Sequence, residues 1–190
     1  RSFKSEKPEN LPSTLYFAPV KKPKLKVMLE KATELGVSSL VPVLSQNVNI
    51  DINFSQDGSY DRVIIESVEQ CERLDVPTLQ KEPLSLSSLL QQSGRKLLVC
   101  RERVEAQPLL QVLFENKQEF FSSSGGSMVK WGILVGPEGG FTREEYEHMD
   151  KCPHVTFVSL GNNVLRAETA CIAALSCVSA AQDMCQKVNV

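Results

Sequence analysis

The stretch MVKWGILVGPEGGFTREE, residues 128–145, decides the fold. Met128 to Val135 is an apolar run interrupted only by Lys130 and Gly132, the length and composition of a central strand buried on both faces. It passes directly into Gly136-Pro137-Glu138-Gly139-Gly140. Thr142 and Glu145 then stand at capping-box spacing, where hydroxyl and carboxylate each accept a backbone N–H at the start of a helix. A buried strand, a glycine loop and a capped helix make a βα unit. Units of this kind build a largely parallel sheet with helices on both faces.

The same alternation extends in both directions. Thr14 to Val20 reads as a strand, and Pro23 suits the first turn of a helix. Leu25, Met28, Leu29, Ala32 and Leu35 keep helical spacing up to a stop at Gly36. Val37 to Val43 is a strand, Gln46 to Gly58 a polar loop, and residues 60–74 a helix with Val63, Ile64, Val68 and Cys71 turned inward. A short strand near Thr78, a short helix over Leu86 to Gln91 and a buried strand at Lys96 to Cys100 follow. Gln107 to Phe121 has a helical pattern, and Ser122 to Ser127 is a Ser/Gly-rich turn. Beyond the central unit come a strand at Val155 to Leu160, the loop Gly161-Asn162-Asn163 and a last helix from about Arg166 to Lys187. Residues 1–12, polar with Pro8 and Pro12, read as an arm ahead of one α/β domain, 13–190.

A chain of 190 residues, 42% hydrophobic and 23% charged, has the size and composition of one globular domain and excludes a disordered or collagen-like one. Twenty-one basic against 23 acidic side chains give a net charge of −2, so global charge predicts no nucleic-acid partner. Residues 1–31, however, carry eight basic side chains and three acidic ones, which leaves a local basic patch open. Six cysteines without a C-x-x-C pair and only two histidines, His148 and His154, argue against a zinc site, so no metal is expected. Free thiols suit a reducing compartment, cytoplasmic or organellar (chloroplast or mitochondrion). Ala170 to Ala181, the most apolar stretch, is too short to cross a bilayer, and no membrane partner is expected.

In an open α/β sheet, ligands bind at the carboxyl ends of the strands, and glycines there let the backbone touch the ligand. Val135 to Phe141 is either an ordinary strand-to-helix turn or such a loop. It is not a phosphate loop or a dinucleotide fingerprint, since G-x-x-x-x-G-K-[ST] and G-x-G-x-x-G are both missing. LGNNVLRAETA, residues 160–170, is a second glycine loop between a strand and a helix. Two such loops at adjacent strand ends would offer backbone N–H and C=O groups to a planar, uncharged heterocycle, adenine rather than phosphate. Arg166 beside the second loop would hold an RNA phosphate or a uracil carbonyl, the alternative being a surface or interface ion pair. Glu168 suits the positive end of the last helix, a structural role. Ala170, Ala173, Ala174, Cys177, Ala180 and Ala181 give that helix a small-residue face for close packing, within the subunit or across a homodimer interface.

Four stretches, KATELGV (31–37), EQCERLDVP (69–77), VGPEGGFT (135–142) and LGNNVLRAETA (160–170), in this order resemble the RsmE family. These are the 16S rRNA (uracil-N3)-methyltransferases of the SPOUT superfamily, and the resemblance runs from about Thr14 to the C-terminus. It implies a C-terminal trefoil knot, an S-adenosylmethionine site built from the knot loops, a homodimer and small-subunit ribosomal RNA as substrate. Carried over by motif, the cofactor would meet Leu134, Val135, Gly136, Pro137, Glu138, Gly139, Gly140, Ser159, Leu160, Gly161, Asn163, Val164, Leu165 and Ala170. Lys22, Glu69, Gln70, Arg73 and Arg166 would face the RNA. Arg166 and Arg73 would be the catalytic pair, orienting the RNA and stabilising negative charge on the uracil, while Lys31 and Glu34 are structural or functional. Asn163 stands where the family carries a basic residue. The family also begins with a PUA-like RNA-binding domain, and this chain starts about where that domain would end, so its basic N-terminal stretch would form the junction facing RNA. The rival expectations are a non-catalytic RNA-binding or ribosome-assembly protein on the same fold, or a methyltransferase acting on another RNA.

Overall fold

A computed structural model describes residues 13–50, 52–92, 95–102, 106–121 and 130–187. Its strands are β1 (Ser13–Phe17), β2 (Ser39–Leu44), β3 (Thr78–Leu79), β4 (Leu84–Ser85), β5 (Arg95–Cys100), β6 (Gln107–Pro108), β7 (Lys130–Val135) and β8 (Val155–Ser159). The helices are α1 (Lys22–Glu34), α2 (Ser59–Gln70), α3 (Leu86–Leu90), α4 (Leu109–Glu115), α5 (Lys117–Phe121), α6 (Arg143–Asp150) and α7 (Ala167–Lys187). The sheet runs β3-β2-β1-β7-β5-β8-β6 with β4 beside β2, and every described strand pair is parallel. The arm at 1–12, the turn at 122–127, and Met128 and Val129 of the expected central strand lie outside the described residues.

Local signals set most of the elements. Pro23 sits in the first turn of α1, and Gly36 closes it at φ 86°, a conformation that costs glycine little. Thr142 Oγ1 accepts from Glu145 N at 3.2 Å, and Glu145 Oε2 accepts from Thr142 N at 2.8 Å, which completes the capping box of α6. Two expectations are corrected. The helix expected over 60–74 stops at Gln70, because Glu72 turns to φ 57° and Arg73 N donates to Val68 O at 3.1 Å, closing the helix end. The helical pattern at 107–121 divides into β6, α4 and α5, because Gln107 and Pro108 pair with Val158 and Ser159 of β8 and Asn116 caps α4.

Side chains alternate across the sheet and divide the core into two layers. Leu15 and Phe17 of β1, Leu98 of β5, and Trp131, Ile133 and Val135 of β7 pack with α1, α2, α4 and α7. Tyr16, Leu97, Val99 and Leu134 pack on the opposite face with α3 and α6. Gly132 is needed where β7 crosses Tyr16: a Cβ there would lie 2.5 Å from Tyr16 Cε2 and 2.8 Å from Thr14 O. Gly132→Ala is therefore expected to destabilise the fold by about 2 kcal/mol through overpacking. Thermal unfolding checks this, with a midpoint drop of roughly 4–8 °C for a domain of this size.

Candidate functional site

Because β5 lies between β7 and β8, the loops that follow these three strands meet at the carboxyl edge of the sheet. They enclose a cavity of about 430 Å³. From the loop after β7 it is lined by Val135, Gly136, Pro137, Glu138, Gly140 and Phe141, and from the loop after β8 by Leu160 to Arg166, with Ala167 and Ala170 from α7. Cys100, Arg101 and Glu102 from the end of β5, Lys24 of α1 and Tyr146 of α6 complete the wall.

The loop after β7 is fixed from several sides. Ala18 N donates to Val135 O at 3.0 Å, and Gly140 N donates to Pro137 O at 2.8 Å, closing a tight turn. Asn47 Nδ2 donates to Gly140 O at 2.9 Å. Gly140 sits at φ 69° and Gly161 at φ 119°, in the region that favours glycine. Ser159 Oγ accepts from Gly161 N at 3.1 Å, shaping the second loop. Each loop thus places on the cavity wall a glycine with open space where a Cβ would stand, Gly140 in one and Gly161 in the other.

Charge gathers at one end of this cavity. Lys24 is hydrogen-bonded to Glu138, and its Nζ lies 4.0 Å from Glu168 Oε1. Lys24 beside Glu138 holds that carboxyl below the usual carboxylate range, with smaller pulls from Lys21 and Arg166. A carboxyl lowered in the folded state contributes above its unfolded value of about 4.3, and the contribution is lost as pH falls through the folded value. The Lys24–Glu138 pair is therefore complete at neutral pH. Burial pushes the Cys100 thiol up to about 12 and raises the Tyr146 phenol, so neither ionises near neutrality. Ligand affinity is accordingly expected to stay flat between about pH 5.5 and 7, below the range of a ligand α-amino group. Titration calorimetry across that range checks it, and uptake or release of a full proton on binding would contradict it.

The structure brings most of the expected cofactor residues together: Val135, Gly136, Pro137, Glu138, Gly140, Leu160, Gly161, Asn163, Val164, Leu165 and Ala170 all line the cavity. Leu134, Gly139 and Ser159 do not line it. The Leu134 side chain packs in the α3 and α6 layer, and a Cβ on Gly139 would face Asn47. Arg166 lines the cavity and is exposed at its mouth. The other residues expected to face RNA stand elsewhere. Arg73 Nη1 donates to Thr33 O at 2.6 Å and to Val37 O at 3.1 Å, and Nη2 pairs with Asp75 at 2.7 Å. Its guanidinium therefore clamps the turn between α1 and β2. Glu69 and Gln70 are exposed at the end of α2, Lys22 pairs with Asp57, and Lys31 bridges Glu30 and Glu34 on α1. Glu168 Oε2 is buried without a hydrogen-bond partner. The two glycine loops are not on adjacent strands, since β5 stands between them. Cys100, Arg101, Glu102, Phe141, Tyr146 and Lys24 are the residues the sequence reading missed. The signal for the first three was the end of a third buried strand in a parallel sheet.

No disulfide joins any of the six cysteines, and among the described residues no group of His, Cys, Asp and Glu is arranged to hold a metal ion. No described helix is long and apolar enough to cross a membrane.

Comparison with known proteins gives the same assignment along the chain. Residues 7–179 match the RNA methyltransferase domain family. The chain is 31% identical over 181 residues to the Ribosomal RNA small subunit methyltransferase E of Rickettsia conorii, covering 92% of this chain and 67% of that protein. It is 30% identical over 180 residues to the protein of the same name from Bacillus subtilis, covering 89% of this chain and 66% of that one. A Legionella pneumophila protein solved in complex with bound SAM superposes with a TM-score of 0.69 at 25% identity, over 90% of this chain and 67% of that chain. The chain spans about two thirds of the length of these relatives. Its parallel sheet, its two glycine loops and these matches place it in the RNA methyltransferase domain family, among the ribosomal RNA small subunit methyltransferase E (RsmE) proteins.

Proposed function

We propose that this chain binds S-adenosylmethionine in the cavity at the ends of β5, β7 and β8 and methylates uridine N3 in small-subunit ribosomal RNA, acting as a homodimer. The cavity carries the proposal: the glycine loops after β7 and β8 both line it, with the exposed Arg166 beside the second. Its volume of about 430 Å³ lies within the range of small-molecule sites. Gly140 and Gly161 leave open space where a side chain would stand, and the buried Arg101 Nε has a hydrogen bond to give, so the residues present fit a nucleoside with a polar tail. The names of the Rickettsia and Bacillus relatives support the RNA class, and the Legionella structure supports the cofactor. The trefoil knot belongs to the same proposal, supported by a strand order in which β7 enters between β1 and β5 while β8 lies beyond β5. Dimerisation is supported by α7, which leaves Ala180 and Met184 exposed while burying Ala174, Val178 and Ala181.

When bound, S-adenosylmethionine supplies a methyl group already activated as a sulfonium. The protein's task is then mainly positioning, which supplies about 7–11 kcal/mol when two reactants are held in line. One general base contributes less, about 10²- to 10⁴-fold. Val135 to Glu138 and Gly140 of one loop, with Leu160 to Leu165 of the other, would hold the cofactor. Arg166 would donate to a uracil carbonyl or the neighbouring phosphate and stabilise the negative charge that builds as the N3 proton passes to solvent. Arg73 acts at a distance, by holding the turn that ends α1.

Calorimetric titration of the 190-residue chain with S-adenosylmethionine and S-adenosylhomocysteine tests the cofactor. Nucleoside mass spectrometry of small-subunit RNA after incubation tests the product. Saturable binding and 3-methyluridine are expected. A folded sample that binds neither compound would overturn the proposal in favour of a non-catalytic RNA-binding protein, and a 2′-O-methyl product would overturn the assigned atom.

A further inference from the structure

The end of β5 lies between the two glycine loops, and Arg101 stands there on the cavity wall. Its backbone is fixed by N–H donation to Val158 O at 2.9 Å. Its guanidinium carbon lies 4.6 Å from the centre of the Tyr146 ring and 4.7 Å from that of Phe157, so two aromatic faces set its position. Nε is buried and has no hydrogen-bond partner among the described residues. A buried donor of this kind is expensive to leave unmade, which marks a place where an acceptor belongs.

The surrounding charges say which acceptor. Among the described residues three cations line the cavity, Lys24, Arg101 and Arg166. Lys24 is bonded to Glu138, and Arg166 is exposed at the mouth, which leaves Arg101 as the cation positioned by two half-buried aromatic rings. Glu102 follows it on the same wall, so a cation and an anion stand side by side. That pair complements a zwitterion. The amino-acid end of S-adenosylmethionine is one, and its α-carboxylate is the only anionic group of the molecule.

We propose that Arg101 binds the α-carboxylate of the methionyl arm, with Glu102 beside it for the α-ammonium, and thereby selects cofactors with an intact amino-acid end. The inference rests on the proposed function of the same cavity. Nε–H and one Nη–H of a guanidinium donate in parallel to two carboxylate oxygens, a geometry that a lysine ammonium cannot reproduce. Tyr146 and Phe157 hold the fork in place before the ligand arrives.

The test compares S-adenosylmethionine with its decarboxylated form, which keeps adenine, ribose, sulfonium and amine and lacks only the carboxylate. Titration of the unsubstituted chain is expected to show the decarboxylated compound binding roughly 10- to 100-fold more weakly. R101Q and R101K are expected to weaken S-adenosylmethionine by a similar factor and to change the decarboxylated compound by no more than about twofold, with circular dichroism and thermal midpoint confirming that both variants fold. Equal affinity of the unsubstituted chain for the two compounds would overturn the inference without recourse to a variant. Parallel loss of both ligands in R101Q would also overturn it, assigning Arg101 to the support of the ring pair. Failure of the unsubstituted chain to bind either compound would instead overturn the proposed function on which the inference stands.

Discussion

Arg166→Ala is expected to lower methyl transfer to small-subunit RNA about 10²- to 10³-fold, the usual loss when one donor to a developing negative charge is removed. S-adenosylhomocysteine should bind the variant nearly as well as before. The reasoning is positional: Arg166 lines the mouth of the cavity but is exposed, whereas the glycine loops that define the interior contribute backbone groups that the substitution leaves in place. The Ala170 N to Arg166 O bond of 2.8 Å is made by main chain and survives truncation of the side chain. Single-turnover rates and cofactor affinity, measured on the same preparation, separate these effects. A variant with full turnover would remove Arg166 from the RNA-facing set, and one that lost cofactor binding in proportion would move it to the cofactor.

Arg73→Ala is expected to behave in the opposite way, destabilising the protein by about 3 kcal/mol, since charge-assisted bonds to buried carbonyls are each worth about 1.5–3 kcal/mol. The Arg73 side chain is only 11% exposed, and its guanidinium serves Thr33 O, Val37 O and Asp75 together. Removing it takes both guanidinium donors from Val37 O and leaves Thr33 O with the Gly36 N–H alone. The thermal midpoint should fall by roughly 6–12 °C. Arg73→Lys should recover part of the loss, because a single ammonium cannot serve the same three partners. Cofactor affinity at a temperature where the variant is folded should hardly change. A loss of activity with an unchanged midpoint would return Arg73 to the catalytic pair in which the family resemblance places it.

These two arginines also show where the sequence could be read and where it could not. Both belong to stretches with a recognisable pattern, but a pattern names neighbours along the chain and not partners across it. The elements whose stop and start signals are local were legible: Pro23 and Gly36 bound α1, and Thr142 with Glu145 opens α6. The end of α2 was not, because Glu72 is a residue in a conformation usually left to glycine, held there in the context of the Arg73 clamp. The strand β6 was hidden inside a helical pattern for a similar reason. Two residues beside β8 gain their hydrogen bonds from a tertiary neighbour and carry no strand signal of their own. In the cavity, glycine-bearing loops announce themselves by composition. Lys24, Phe141 and Tyr146 reach it from helices or from beyond a turn, and only the folded arrangement brings them there.

The position of β7 also governs the order in which the protein can assemble. β1 ends at Phe17, and the strand that pairs with it along Ser13 to Phe17 on one side begins only at Lys130. Until that segment has left the ribosome, β1 can associate with β2 but presents its other edge unpaired, with Leu15, Tyr16 and Phe17 lacking their β7 partners Ile133, Leu134 and Val135. Such an open, apolar edge is a template for pairing with another nascent chain. β1 and β5 are thus joined only once β7 has been made, with β8 still to follow on the far side of β5, and the slow step of folding should be the insertion of β7 between strands made long before it.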